Sequence, residues 1–283
     1  MCSSDLNDAG ARPYVQALGQ MLGQPFVIDN KGGAGGAIGT ETVARAKPDG
    51  YTLCMCASTV VSTVSNLRKA PYSAADLDPI AMTTMYISGL MIGPKNPAAD
   101  FAGFVAYAKA NPGKVAYGGS GVGSPTELRM KYLGALTGAE WTSVPYNGNA
   151  AALNDLLAGV IDGIIELNGF PHVKAGKLRM VALFAPERHP EFPDVPTIDE
   201  LGYKQANTPI WQGFYGPNGI PLAIREKLNK AVAEISSRAE VKARLFEMGL
   251  VTRSMPLAEL RDFYLADDAL YKKIIREQNI AVD

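Results

Sequence analysis

The chain has 283 residues, 47% hydrophobic and 19% charged, an ordinary globular composition, and its 27 basic and 28 acidic side chains leave a formal net charge of −1. That balance gives no electrostatic reason to expect a nucleic acid or an anionic membrane as partner, and no apolar run reaches the roughly 18 residues of a membrane span. One or two domains are expected at this length.

Met1–Leu6 have neither the basic start nor the apolar stretch of a signal peptide and are read as foreign to the fold. Asp8 is predicted to cap a helix running to Leu22, with Ala11, Val15, Leu18 and Leu22 on one face. Pro13 is awkward there and would move the start to Arg12. Phe26–Ile28 reads as a short strand feeding the glycine-rich loop 32–39, and Thr40–Ala46 as a helix stopped by Pro48-Asp49-Gly50. Tyr51–Ala57 is the next strand. It holds Cys54 and Cys56 on one side, with Cα atoms about 6.5–7 Å apart, at or past the limit for a disulfide. Two small buried thiols are expected instead. Ser58–Asn66 reads as a polar turn and helix start.

Ile80–Met85 and Ser88–Gly93 read as extended, and Pro94-Lys95-Asn96-Pro97 as a crossing into a second domain. Phe101–Asn111 is a predicted helix with Phe101, Phe104, Val105 and Ala108 on one face. Then come a strand at Val115–Gly118, a helix at Ser124–Thr137, a strand at Thr142–Val144, a helix at Ala150–Ala158, and strands at Gly163–Glu166 and Met180–Phe184. Asn207–Gly216 holds the return crossing. Helices follow at 222–237, 239–247 and 256–278, with Met248-Gly249-Leu250 as a turn. Strands alternating with helices imply βαβ units, so the expected class is α/β with a mainly parallel sheet in each lobe. The domains expected are a discontinuous lobe I (7–96 and 213–283) and lobe II (97–212), hinged near 94–97 and 209–216. Ligands of such sheets bind beyond the carboxyl ends of the strands, so a cleft between two lobes is the expected binding place.

Nucleotide and catalytic motifs fail. No Gly-x-Gly-x-x-Gly can be laid on Gly32–Gly39, no Gly-Lys-Ser/Thr occurs, and the segment Gly119–Ser124 misses both a dinucleotide loop and a nucleophile elbow by one position. The loop at 32–39 has two readings, tight strand–helix packing or ligand contact. His172 and His189 both sit beside prolines, and no Cys/His or His/Glu spacing suits zinc. No cofactor is expected. The loop Ser120, Gly121, Gly123, Ser124 lies between a strand and a helix, where backbone N–H groups and two hydroxyls can converge on an anion. The other reading is a serine cap with turn glycines. Ser58 and Thr59 follow a strand of the first lobe and are the facing candidates. Glu166 ends a strand aimed at the same cleft, as ligand contact or as a salt-bridged carboxylate.

Several segments carry a family resemblance: Asn30-Lys31-x-Gly33-Ala34-Gly35-Gly36-x-Ile38-Gly39 with Ala44-Arg45-Ala46-x-Pro48-Asp49-Gly50-Tyr51-Thr52-Leu53; Tyr117-x-x-Ser120-Gly121-x-Gly123-Ser124; Val144-Pro145-Tyr146-x-Gly148; Asp155-Leu156-Leu157-x-Gly159-x-x-Asp162; Lys174–Arg179; and Pro193-Asp194-Val195-Pro196-Thr197. In this order they resemble the Bug family, substrate-binding receptors of tripartite tricarboxylate transporters, from about Asp8 to the C-terminus. The resemblance implies a two-lobed type II periplasmic binding protein fold, truncated at its N-terminus. A signal peptide, a first strand and a glycine-rich loop precede the position of Asp8 in the family.

It further implies a periplasmic, monomeric receptor for a small organic acid, working with the integral membrane permease subunits of such a transporter and with no nucleic acid. The loop matched by Ser120–Ser124 contacts ligand carboxylates in the family. The turn Tyr146, Asn147, Gly148 orients water between protein and ligand. The family more often has aspartate where this chain has Glu166, which puts ligand size or identity in question. Two other functions remain open: a sensory partner with the same fold, marked by a neighbouring two-component system, and a hydrolase-like enzyme, marked by turnover of an ester or amide.

Overall fold

The computed structural model describes residues 5–31, 33, 36–67, 70–119, 124–146, 148–208 and 210–277. They divide into two compact units. Unit 1 takes the described residues up to Tyr86 together with Ile210–Arg276, and unit 2 those from Ile87 to Thr208. The first crossing therefore falls between Tyr86 and Ile87, not at 94–97. The reason is pairing: Ser88–Ile92 already bonds to strands of unit 2. The Pro94–Pro97 segment is a turn inside unit 2, where Gly93 N–H donates to Asp162 O at 2.9 Å and Asn96 N–H to Gly93 O at 3.2 Å. The return crossing lies between 209 and 210, ahead of the expected lobe boundary at 213, because Trp211 and Gln212 already pair in the sheet of unit 1.

Unit 1 opens with helix α1 (Asp5–Leu22). Asp8 does not cap it. Its carboxylate instead pairs with Arg12 one turn on, at 2.6 Å, and Pro13 lies inside the helix. The buried face is Ala11, Tyr14, Ala17 and Leu18, while Val15 and Leu22 are half-buried. Phe26–Ile28 is not a strand: no described strand pairs with it, and Val27 is 89% exposed. Gly36, at φ 95°, turns the chain into α2 (Ala37–Ala44), whose Thr40 and Val43 are buried.

Strand β1 (Cys54–Ala57) runs straight into a helical stretch, 58–67, that is π-helical over Val60–Val64 and ends in α3 (Ser65–Leu67). Then come β2 (Leu77–Tyr86) and, after the excursion through unit 2, β8 (Trp211–Pro217), α8 (Leu222–Ser237), α9 (Ala239–Phe246), β9 (Leu250–Thr252) and α10 (Leu257–Glu277). The strand order is β1-β8-β2-β9, and every pair is antiparallel. The expected parallel sheet is wrong here because the returning strand β8 inserts between β1 and β2 and runs against both. The alternation along β1 divides the core. Met55 joins Tyr14, Leu18, Ile80, Phe214 and Ile235 on one side of the sheet, and Cys54 and Cys56 join Val43, Trp211, Tyr215 and Tyr264 on the other. Both cysteines are buried.

Unit 2 runs β3 (Ser88–Ile92), α4 (Phe101–Ala110), β4 (Val115–Gly119), α5 (Pro125–Thr137), β5 (Trp141–Pro145), α6 (Asn149–Ala158), β6 (Gly163–Glu166), α7 (Phe170–Lys174) and β7 (Arg179–Phe184). The order is β5-β4-β6-β3-β7. The pairs β5–β4 and β4–β6 are parallel, and parallel strands need crossover helices, here α5 and α6. The incoming strand β3 is antiparallel to both its neighbours. Asp100 caps α4 through Gly103 N–H at 2.7 Å, and Phe101, Phe104, Val105 and Ala108 are buried as their spacing predicts. Trp141 stacks on Phe104 at 5.9 Å and its indole N–H donates to Met130 O at 2.8 Å. No helix among the described residues is long and apolar enough to cross a membrane.

Candidate functional site

The three parallel strands of unit 2 end together, and the residues that follow them are held by direct bonds. Tyr146 N–H donates to Gly119 O at 3.0 Å, tying the end of β5 to the end of β4. Thr126, in the first turn of α5, donates its hydroxyl to Ile165 O of β6 at 3.0 Å. Close approach here needs a bare backbone. A Cβ on Gly118 would stand 2.6 Å from Ile161 Cδ1, 3.0 Å from Ala152 Cβ and 3.2 Å from the Tyr146 ring.

Ser124 is the N-cap of α5, accepting Glu127 N–H at 3.3 Å, with Pro125 in the first helical position. Gly148, at φ 107° and ψ 159°, opens α6 in a conformation that suits only glycine. The positive ends of two helix dipoles thus lie behind the carboxyl ends of β4 and β5. Ser120, Gly121, Gly123 and Asn147 lie outside the described residues.

Tyr146 is half-buried and its hydroxyl donates to Asp155 Oδ2 of α6 at 2.7 Å. Burial, then the neighbouring Asp155 carboxylate, push the phenol up to about 12, so it stays protonated. Glu166 is 8% exposed, and both of its oxygens are engaged. Oε1 accepts Leu167 N–H at 2.8 Å, and Oε2 accepts the Asn149 side-chain amide at the start of α6. Burial raises its pKa. The Leu167 and Asn168 backbone N–H groups, Asn149 and the field of Arg129 oppose that shift only in part. Glu166 therefore braces the start of α6 from within the unit.

Arg129 and Asn149 escaped the sequence reading. Arg129 is 2% exposed. It donates Nε to Thr208 Oγ1 at 3.1 Å, Nη1 to Ser88 Oγ at 2.6 Å and Nη2 to Thr208 O, and lies over the Phe184 ring at 5.0 Å. Nearly the whole first half of α5 is buried, so no apolar stripe marks which of its residues face inward. Asn149 is ordinary helix-start polarity in sequence, and only the end of β6 beside it gives it a role.

In unit 1, Ser58 and Thr59 follow β1 as expected. Ser58 is buried, and its hydroxyl accepts Trp211 N–H at 3.4 Å. Thr59 is half-buried at the entry to the π-helical segment. Trp211 is fully buried, its ring packed at a tilt on Tyr215 and edge-on against Phe263, in the core of unit 1. His189, in unit 2, is also buried, between Phe170 and Phe192, with Glu191 N–H donating to its Nδ1 at 3.2 Å. Burial lowers its pKa. Neither histidine is part of a metal-ligating cluster among the described residues.

Two α/β units, exchanged twice by the chain and ending their strands in hydroxyl- and amide-rich loops, define a two-lobed solute-binding receptor of the type II periplasmic binding class. Residues 11–280 match the TctC family, described as the tripartite tricarboxylate transporter family receptor, and the chain belongs to that family. It is 35% identical to protein BugT of Bordetella pertussis over 83% of this chain and 74% of that one. Among solved structures it is similar to Rpa4515 of R. palustris with adipate (29% identity, TM-score 0.80, 99% of this chain and 96% of that one). It is also similar to MatC of Rhodopseudomonas palustris with bound malate (28% identity, TM-score 0.75, 95% and 94%).

Proposed function

We propose that the protein captures a small dicarboxylate in the periplasm and hands it to the membrane permease of a tripartite tricarboxylate transporter. The observation that carries this reading is the similarity over nearly the whole chain to two receptors whose ligands, adipate and malate, are both dicarboxylates of different length. In this reading Ser58 and Thr59 serve from unit 1. The loop Ser120, Gly121, Gly123, Ser124 and the turn Tyr146, Asn147, Gly148 serve from unit 2. Neutral donors at two helix N-termini hold a carboxylate without an arginine clamp, because hydrogen bonds to a charged acceptor are the stronger kind.

The test is a thermal-shift screen against adipate, malate, succinate, citrate and benzoate. A ligand at one hundred times its Kd stabilises by about 2.7 kcal/mol, so a true ligand raises the melting temperature by several degrees and is recovered unchanged. A cooperative melt unmoved by every member of the panel would sink the dicarboxylate reading. Consumption of a ligand would replace the receptor reading by an enzymatic one.

A further inference from the structure

Behind the Ser58–Thr59 turn, unit 1 buries a group of polar atoms that its own fold leaves unmet. Asp267 of α10 is 4% exposed, and neither carboxylate oxygen has a hydrogen-bond partner among the described residues; the same holds for Trp211 Nε1 and Tyr215 Oη of β8 and for Thr63 Oγ1 of the π-helical segment. Trp211 and Ser62 lie near enough to favour the Asp267 carboxylate without reaching hydrogen-bond geometry. These two residues also hold the turn. Trp211 N–H donates to Ser58 Oγ, and Ser62 Oγ donates to Ser58 O at 3.0 Å. One residue along α10, Asp268 accepts from Asn66 at 2.9 Å, and the same amide donates to Ser62 O at 2.6 Å. A π-helical turn is a rare, weakly held geometry that is common at functional sites, and here α10 supports it from behind.

We propose that Asp267, acting through Trp211 and Ser62, positions the helical turn that carries Ser58 and Thr59. The proposal rests on the reading that these two residues serve the ligand. An uncharged Asp267 sits among these groups at little cost, whereas an ionised one draws the Trp211 indole N–H and the Ser62 hydroxyl toward itself, competing with the bonds Ser62 and Trp211 make to Ser58, and so loosens the turn. The titratable groups around it are Asp268, paired with Lys272 at 2.7 Å, Tyr264 on the same helix and Tyr215 on β8, the tyrosines in turn facing Cys54 and Cys56 on β1 and Asp78 on β2. Burial holds both tyrosines protonated, well above their usual range. Burial likewise raises Asp267 to about 7, which sets the range in which the turn responds.

The experiment is hydrogen exchange of the segment 58–67, corrected for intrinsic rates, in wild type and Asp267→Asn between pH 5.5 and 8. Wild-type protection is expected to fall about tenfold as Asp267 ionises, and protection in Asp267→Asn to stay level at the acid value of wild type. A level wild-type profile, or the same fall in both proteins, overturns the proposal. If Asp267→Asn does not fold, the wild-type profile alone decides. Adipate calorimetry on the same proteins adds the functional arm. Asp267→Asn is expected to bind adipate more tightly than wild type at pH 8 and equally at pH 5.5, a ratio in which the ligand's own titration cancels. Equal affinity at both pH values, with exchange altered, overturns the positioning role. Adipate affinity unchanged in Thr59→Ala would instead sink the reading of the site, and the exchange profiles would still decide the role of Asp267.

Discussion

Glu166 and Arg129 show how much of a binding lobe consists of residues that hold others. Glu166 accepts from the Asn149 amide while Asn149 Oδ1 has no partner among the described residues. The amide can therefore reverse and accept from a glutamine. Glu166→Gln is expected to keep the fold and the start of α6, whereas Glu166→Ala leaves buried donors unmet at a cost of about 1–3 kcal/mol. Urea unfolding of the two variants checks this, and equal losses would mean that the brace contributes nothing. Arg129 binds Ser88 and Thr208, two residues inside unit 2 from each chain crossing. Replacing it by methionine keeps the stem but strands two hydroxyls and a carbonyl, so about 3 kcal/mol is expected to be lost. Lysine should recover little, because one ammonium cannot reproduce a planar fork spread over three acceptors. Recovery of wild-type stability in Arg129→Lys would show that charge alone is what the site needs.

At the scale of elements, the packing of α6 on β4 depends on Gly118. A methyl there meets Ile161, Ala152 and the Tyr146 ring inside ordinary contact distance, so Gly118→Ala should push α6 outward and cost about 1–3 kcal/mol. It should also shift the Tyr146–Gly148 turn. The matching measurement is ligand affinity beside stability: a variant destabilised yet binding normally would place that turn outside the site.

Helices α4, α5 and α6 of unit 2 are legible in the sequence, because apolar periodicity and a cap such as Ser124 are local signals, whereas the short α7 and the close packing at Gly118 are not. Nor is strand direction. β8 and β3 run against their neighbours because of where the chain arrives from, and nothing in Trp211–Pro217 or Ser88–Ile92 encodes that. The first crossing was missed for a related reason. β2 and β3 are joined through Ile87 alone, without proline or glycine, while the conspicuous prolines at 94 and 97 only turn the chain within unit 2. Asp267 was hidden too, since an acid on an otherwise amphipathic helix reads as solvated surface until β8 is laid over it.

For the molecule as a whole, these buried groups set opposite dependences on pH in the two units. In unit 1 the pKa of Asp267 is raised from the ordinary aspartate range to about 7. The native state therefore holds its proton more tightly than the unfolded chain, and the stability so gained is full in acid and lost as pH rises through about 7. At its full extent the difference is about 4 kcal/mol. In unit 2 burial lowers His189, so there the unfolded chain takes up the proton first, and stability is lost as pH falls through the ordinary histidine range. Glu166, raised in the same unit, works against that loss. Mild acid should consequently favour unit 1 over unit 2, and mild alkali the reverse. Exchange of slow core amides at pH 5.5 and 8 reads each unit separately, Leu18 and Ile80 for unit 1, Phe104 and Ile164 for unit 2. The expected result is that unit 1 loses stability relative to unit 2 from pH 5.5 to 8, that Asp267→Asn removes that loss in unit 1 alone, and that His189→Phe removes the acid loss of unit 2 alone, leaving the opposite slope of Glu166. Parallel profiles for both units would mean that neither buried group carries the pH dependence, and that the exposed carboxylates do.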